Sequence, residues 1–94
     1  MPEIWKILFD RAIKQLDQAG IKKQHWSLGG GTVLRMYYNH RESKDIDIFF
    51  HDQQLLAYIS PRTNDANEDY LLTYAEGSVF TKIIFPEGEV DFIF

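Results

Sequence analysis

Residues 45–50 read Asp-Ile-Asp-Ile-Phe-Phe, and this alternation constrains the fold more than any other stretch of the chain. Successive side chains of a strand point to opposite faces of its sheet. Ile46, Ile48 and Phe50 fall on one face and belong in a core, while Asp45, Asp47 and Phe49 share the other. The run is rich in β-formers, so it is a strand, buried on one side. A second periodic stretch, Glu3 to Ala19, carries Trp5, Leu8, Phe9, Ala12, Leu16 and Ala19 at three- and four-residue steps. That is one apolar stripe of a helix. Gly20 can end it in the left-handed cap, with Lys22 and Lys23 just past the negative end of the helix dipole.

The remaining elements follow from breaks in the pattern. His25–Leu28 reads as a short strand, which Gly29-Gly30-Gly31 interrupts. Thr32 opens a second helical stretch with Val33, Leu34, Tyr37 and Tyr38 on one side, and Asn39 to Lys44 is a polar loop. Gln53 to Ile59 reads as a short helix ended by Pro61, and residues 62–69 as an Asn/Asp-rich loop. Tyr70–Tyr74 and Ser78–Phe85 flank Glu76-Gly77 and suggest a hairpin. Pro86 to Glu89 turns again, and Val90–Phe94 is the last strand. The order α-β-α-β-α-β-β-β predicts an α/β (α+β) domain with a mixed β-sheet flanked by helices.

Composition narrows the class of function. At 94 residues the chain is expected to be one domain, and its 45% apolar content excludes a disordered chain. It has no cysteine, which excludes a disulfide scaffold and a Cys-based zinc site and leaves a cytoplasmic location as the simplest expectation. No run approaches the ~18 apolar residues of a membrane span. The N-terminal stretch carries Asp10 and Arg11 and is not a signal peptide. The net charge of −4 argues against a surface that is wholly a nucleic-acid cradle. The charge is unevenly spread: residues 1–50 hold 8 basic and 6 acidic residues, whereas residues 51–94 hold 2 and 8.

Three features carry chemistry. Gly29-Gly30-Gly31-Thr32 joins a strand to a helix, where free N–H groups and the helix dipole suit a phosphate. It is neither a Walker A loop, since no Lys follows the glycines, nor a dinucleotide fingerprint. Alone, it also reads as a tight turn. Asp45-x-Asp47 puts two carboxylates about 7 Å apart on one strand face, where they can converge on divalent ions or simply form a wet surface. Asp91, inside Val-Asp-Phe-Ile-Phe, is costly to bury unless paired or metal-bound; otherwise it is an edge-strand acid that discourages aggregation. His25, His40 and His51 lack metal-ligand spacing, and Tyr37, Tyr38, Phe49 and Phe50 read as core rather than as a platform for stacking bases.

Taken in order, these features are recognisable. Leu28-Gly-Gly-Gly-Thr-Val-Leu34 with His40-Arg41-Glu-Ser43-Lys-Asp45-Ile-Asp47-Ile-Phe49 resembles the polymerase-β-like nucleotidyltransferase superfamily. Within it, the pattern is similar to the AbiEii/AbiGii toxin family of type IV toxin–antitoxin and phage-defence systems. The resemblance implies a minimal polymerase-β-like palm that transfers a nucleoside monophosphate from an NTP to a hydroxyl of RNA or protein. It implies that Gly30, Gly31 and Thr32 hold the triphosphate, with Ser43 and Arg41 beside the phosphates. Asp45, Asp47 and Asp91 would bind Mg²⁺ (or Mn²⁺), and Asp91 would also help deprotonate the acceptor. An antitoxin is a further candidate partner, and no membrane is implied. Family members usually continue into a C-terminal helical region, whereas here three residues follow Asp91. The expectation is therefore an excised or truncated domain, and the rival to the enzyme is a non-catalytic nucleotide-binding or protein-interaction module of the same fold.

Overall fold

The computed structural model describes residues 4–29 and 45–94. Helix α1 (Ile4–Ala19) leads through a single 3-10 turn at Lys23–His25 into strand β1 (Trp26–Leu28). Strand β2 (Asp45–Phe50) is followed by the short helix α2 (Leu55–Ile59), then by β3 (Thr73–Glu76), β4 (Phe80–Phe85) and β5 (Gly88–Ile93). The five strands form one sheet in the order β1-β2-β5-β4-β3. β2 and β5 run parallel, and the other three pairs are antiparallel. This is the expected mixed α/β architecture. The helix expected from Thr32 and the loop Asn39–Lys44 lie outside the described residues.

One face of the sheet carries the core. Ile46, Ile48 and Phe50 of β2, Val90 and Phe92 of β5, and Ile83 and Phe85 of β4 are all buried. Leu8, Ala12 and Leu16 of α1 and Leu56 and Ile59 of α2 cover them. The Phe50 and Phe92 rings stack at 5.6 Å between centroids, which ties the two parallel strands together. Helix α1 ends as its sequence predicts. Gly20 takes φ 71°, its N–H donates to the Asp17 carbonyl, and the Ile21 N–H donates to the Leu16 carbonyl. This paired capping satisfies two of the carbonyls left orphaned at the helix end.

The stripe on α1 differs from the expected one at two positions. Trp5 is only half-buried, and Gln15 is 1% exposed. Gln15 organises the long connection after α2. Its Nε2 donates to the Ile59 carbonyl (2.9 Å) and the Asn64 carbonyl (3.3 Å). Its Oε1 accepts from Asn67 Nδ2 (2.7 Å), and its backbone carbonyl accepts from Asn64 Nδ2 (2.9 Å). Nearby, Arg11 donates twice to the Glu87 carboxylate at 3.1 Å, with its guanidinium 4.4 Å from the Tyr70 ring centroid and 5.1 Å from that of Phe85. Tyr70 is thereby held against α1 rather than in a strand. The strand expected at Tyr70–Tyr74 begins instead at Thr73, although the Leu72 N–H already donates to the Ile84 carbonyl.

Replacing Gln15 with Leu leaves two buried carbonyls without their donor and Asn67 Nδ2 with one acceptor fewer. The expected loss is about 2–3 kcal/mol in urea unfolding, because unsatisfied buried groups carry their full desolvation cost. Gln18→Leu, at the exposed contact with Asp65, is expected to change stability by under ~0.5 kcal/mol.

Candidate active site

The register of the sheet builds the second face. Asp47 of β2 lies directly beside Asp91 of β5, and Asp91 lies directly opposite Lys82 of β4. The next row is Asp45, Glu89 and Ile84, and the row on the other side is Phe49, Ile93 and Phe80. Neighbouring strands sit about 4.8 Å apart, so three aspartates and a glutamate occupy a small area on the face opposite the core. Asp91 is not on an edge strand, as one reading of the sequence had it. β5 is flanked by β2 and β4, so Asp91 is at the centre of the sheet, where a solubilising acid has no edge to protect.

The electrostatics of this face centre on Asp91. Desolvation pushes its carboxyl up to about 7, and the charge of Glu89 and a proton shared with Glu89 push the same way, as does Asp47. Lys82 opposes the rise. When both carboxylates are ionised no proton is available to share, and Asp91 Oδ1 is buried with no hydrogen-bond partner. Lys82 Nζ is 3.4 Å from Glu89 Oε2. Its pKa is raised above the usual value, first by the hydrogen bond with Glu89 and then by the charge of Asp91.

Gly29 closes one side of the face. Its N–H donates to the Asp47 carbonyl at 2.9 Å, extending the β1–β2 ladder by one residue. A Cβ placed on Gly29 would lie 2.8 Å from Phe49 Cε2 and 3.0 Å from Asp47 Cβ. A side chain at Gly29 would therefore press on the Asp47 Cβ and displace the Phe49 ring. Gly30, Gly31, Thr32, Arg41 and Ser43 lie outside the described residues, so their placement relative to the aspartates is not described. Phe49, expected in the core, is 40% exposed on the acidic face, while Phe50 is buried as expected.

Among the described residues no three His, Cys, Asp or Glu side chains converge tightly enough to cage an ion. The donors that are present fit a hard divalent cation. They are all carboxylate oxygens, and Asp91 brings a buried oxygen with no partner. Mg²⁺ commonly takes only one or two protein carboxylates and fills its remaining positions with water and substrate phosphates.

A sequence model of the AbiEii family, described as nucleotidyl transferase AbiEii toxin of type IV toxin–antitoxin systems, matches residues 11–86. The chain belongs to the AbiEii nucleotidyl transferase toxin family. The sheet and its helices are accordingly a small α/β nucleotidyltransferase-like fold. The AbiEii match contains the glycine run, Arg41, Ser43, Asp45 and Asp47, and it ends before Glu89 and Asp91. No curated protein matches the chain, and no solved structure does. No helix among the described residues is long and apolar enough to cross a membrane.

Glu89 and Lys82 carry parts of this face to which the sequence gives no role, and Gly29, the first residue of the glycine run, spends its N–H on the Asp47 carbonyl. Glu89 was placed in the turn at Pro86–Glu89, but the turn is only Pro86-Glu87, because Phe85 pairs with Gly88. Glu89-x-Asp91 then repeats the spacing of Asp45-x-Asp47. Counting back from that two-residue turn also places Lys82 opposite Asp91.

The shift at Asp91 makes the metal-free protein sensitive to pH. Its folded value, about 7, lies above the ordinary 3.8, so between these values the folded state holds a proton that the unfolded state releases. Stability is therefore highest below about pH 4 on account of this group and declines as pH rises towards 7. Urea unfolding in EDTA across this range is expected to show the decline in the parent and a flatter profile in Asp91→Asn. Superimposable profiles would mean that Asp91 titrates normally.

Proposed function

We propose that the chain transfers a nucleoside monophosphate from an NTP to a hydroxyl of RNA or protein, with Mg²⁺ or Mn²⁺, as the toxin of a type IV toxin–antitoxin pair. The observation that carries this reading is the register of β2 and β5, which sets Asp47 beside Asp91 with Asp45 on the same face. Membership of a nucleotidyl transferase family supports it independently.

In this reading Asp45, Asp47 and Asp91 hold the divalent ions. Gly30, Gly31 and Thr32 offer backbone N–H groups to the triphosphate, with the Ser43 hydroxyl and the Arg41 guanidinium beside it. Ions held there would supply charge neutralisation at the phosphates and would make the attacking hydroxyl more acidic. The acceptor oxygen forms a bond to the α-phosphorus as the bond to the β-phosphate bridge breaks, and pyrophosphate leaves. Asp91 takes the hydroxyl proton. Gly29, whose N–H is bonded to the Asp47 carbonyl, ties the end of β1 to the aspartate strand. Little covalent chemistry is asked of the protein, and positioning with charge stabilisation provides the rate.

Mn²⁺ is expected to raise the stability of the parent by about 1.4 kcal/mol at ten times its Kd. It is expected to do nothing for Asp45→Asn/Asp47→Asn. In the same preparations, transfer of label from α-labelled NTPs to total RNA and protein is expected to fall about a hundredfold or more, at least ~2.7 kcal/mol at the transition state. A Mn²⁺ shift that survives the double substitution would put the ions elsewhere and overturn the assignment.

A further inference from the structure

Lys82 stands directly opposite Asp91 in the antiparallel β4–β5 pair. Directly opposed residues have the closest Cβ atoms on a sheet face, and diagonal neighbours are farther apart. The ammonium nonetheless makes its 3.4 Å ion pair with Glu89, one of its diagonal neighbours. Asp91, the nearer acid by register, is left with Oδ1 buried and without a partner. The two facts are connected. A lysine has three donors on a flexible stem and goes to the carboxylate that is better placed and cheaper to approach. The Glu89 side chain is 30% exposed and pairs with Lys82 without full loss of water, whereas the orphaned oxygen of Asp91 is buried.

We propose that Glu89 is a positioning residue of the active site, which draws Lys82 away from Asp91 and so keeps the Asp91 carboxylate available to a divalent cation. The inference rests on the reading that Asp91 is one of the cation's ligands. Without Glu89, the nearest strong acceptor for the Lys82 ammonium is Asp91 itself. The pair that then forms occupies the oxygen the cation needs and neutralises its charge. Glu89 therefore acts through Lys82, and its effect on the metal disappears when Lys82 is gone. A direct ligand behaves differently, because its loss is felt whether or not Lys82 is present. A general contribution of negative charge is likewise independent of Lys82.

The test is a double-mutant cycle on Mn²⁺ affinity at pH 8, where the proton that Glu89 helps to hold on Asp91 has left, read by electron paramagnetic resonance of free Mn²⁺ with the whole chain and no nucleotide. Glu89→Gln is expected to weaken Mn²⁺ binding roughly tenfold in the parent, the size of coupling usual between side chains in contact. In the Lys82→Met background the same substitution is expected to cost less than about threefold, the residue of one screened surface charge. Glu89→Ala repeats the cycle without an amide that could bond to its neighbours, and circular dichroism melts confirm that each variant is folded. Equal losses in the two backgrounds overturn the inference while leaving the metal site standing. Absence of Mn²⁺ binding in the parent, or binding unchanged in Asp91→Asn, overturns both the inference and the reading on which it rests.

Discussion

Parallel hydrogen bonding between β2 and β5 sets Ile46 beside Val90 and Ile48 beside Phe92 on one face, and Asp47 beside Asp91 on the other. The rest of the molecule depends on this pairing. The buried residues of the two strands are the floor on which α1 and α2 pack, and the Phe50–Phe92 stack adds a ring contact across them. A slip of one residue would move every apolar side chain to the wet face and every aspartate into the core. The hydrophobic effect thus holds together carboxylates that would otherwise separate. The energy that keeps Asp47 and Asp91 adjacent comes from the opposite side of the sheet.

Such an arrangement stores unfavourable electrostatics, and the structure shows how it is managed. Asp91 retains a proton towards neutrality because it is desolvated and faces Glu89, and Lys82 supplies the one cation opposite it in the register. Polar groups behind the sheet are held by hydrogen bonds instead, with Asn67 Oδ1 left as a buried acceptor without a partner. Gln15, Asn64 and Asn67 bind the connection after α2 to the back of α1, and the Arg11–Glu87 pair joins α1 to the β4–β5 turn. These contacts stiffen the base on which the acidic face is presented. The same face also carries the apolar row of Phe49, Ile93 and Phe80, so its two ends differ sharply in chemistry.

Much of this was legible in the sequence. Alternation in Asp45–Phe50 gave the strand and both of its faces, and the stripe on α1 and Gly20 gave the helix and its end. The glycine run and the D-x-D pattern were enough to recognise the family. What local pattern could not give was register. Asp91 could be read either as a metal ligand or as an edge residue because nothing in Val90–Phe94 says which strands flank it. Glu89 looked like part of a turn because Pro86-Glu87-Gly88-Glu89 is rich in turn residues, although the chain reverses in two of them. Tyr70 looked like a strand residue by propensity, but its ring is held by Arg11, a contact 59 positions away in sequence. In each case a long-range contact overrode a local preference.

The central claim is that Asp47 and Asp91, brought together only by the β2–β5 register, bind one divalent centre. Paramagnetic broadening by substoichiometric Mn²⁺ in an amide NMR spectrum tests it most directly. The account predicts that signals of residues 45–49 and 89–93 broaden together and first. Broadening centred on the acidic connection at Asp65, Glu68 and Asp69, or confined to β2 with β5 untouched, would contradict it.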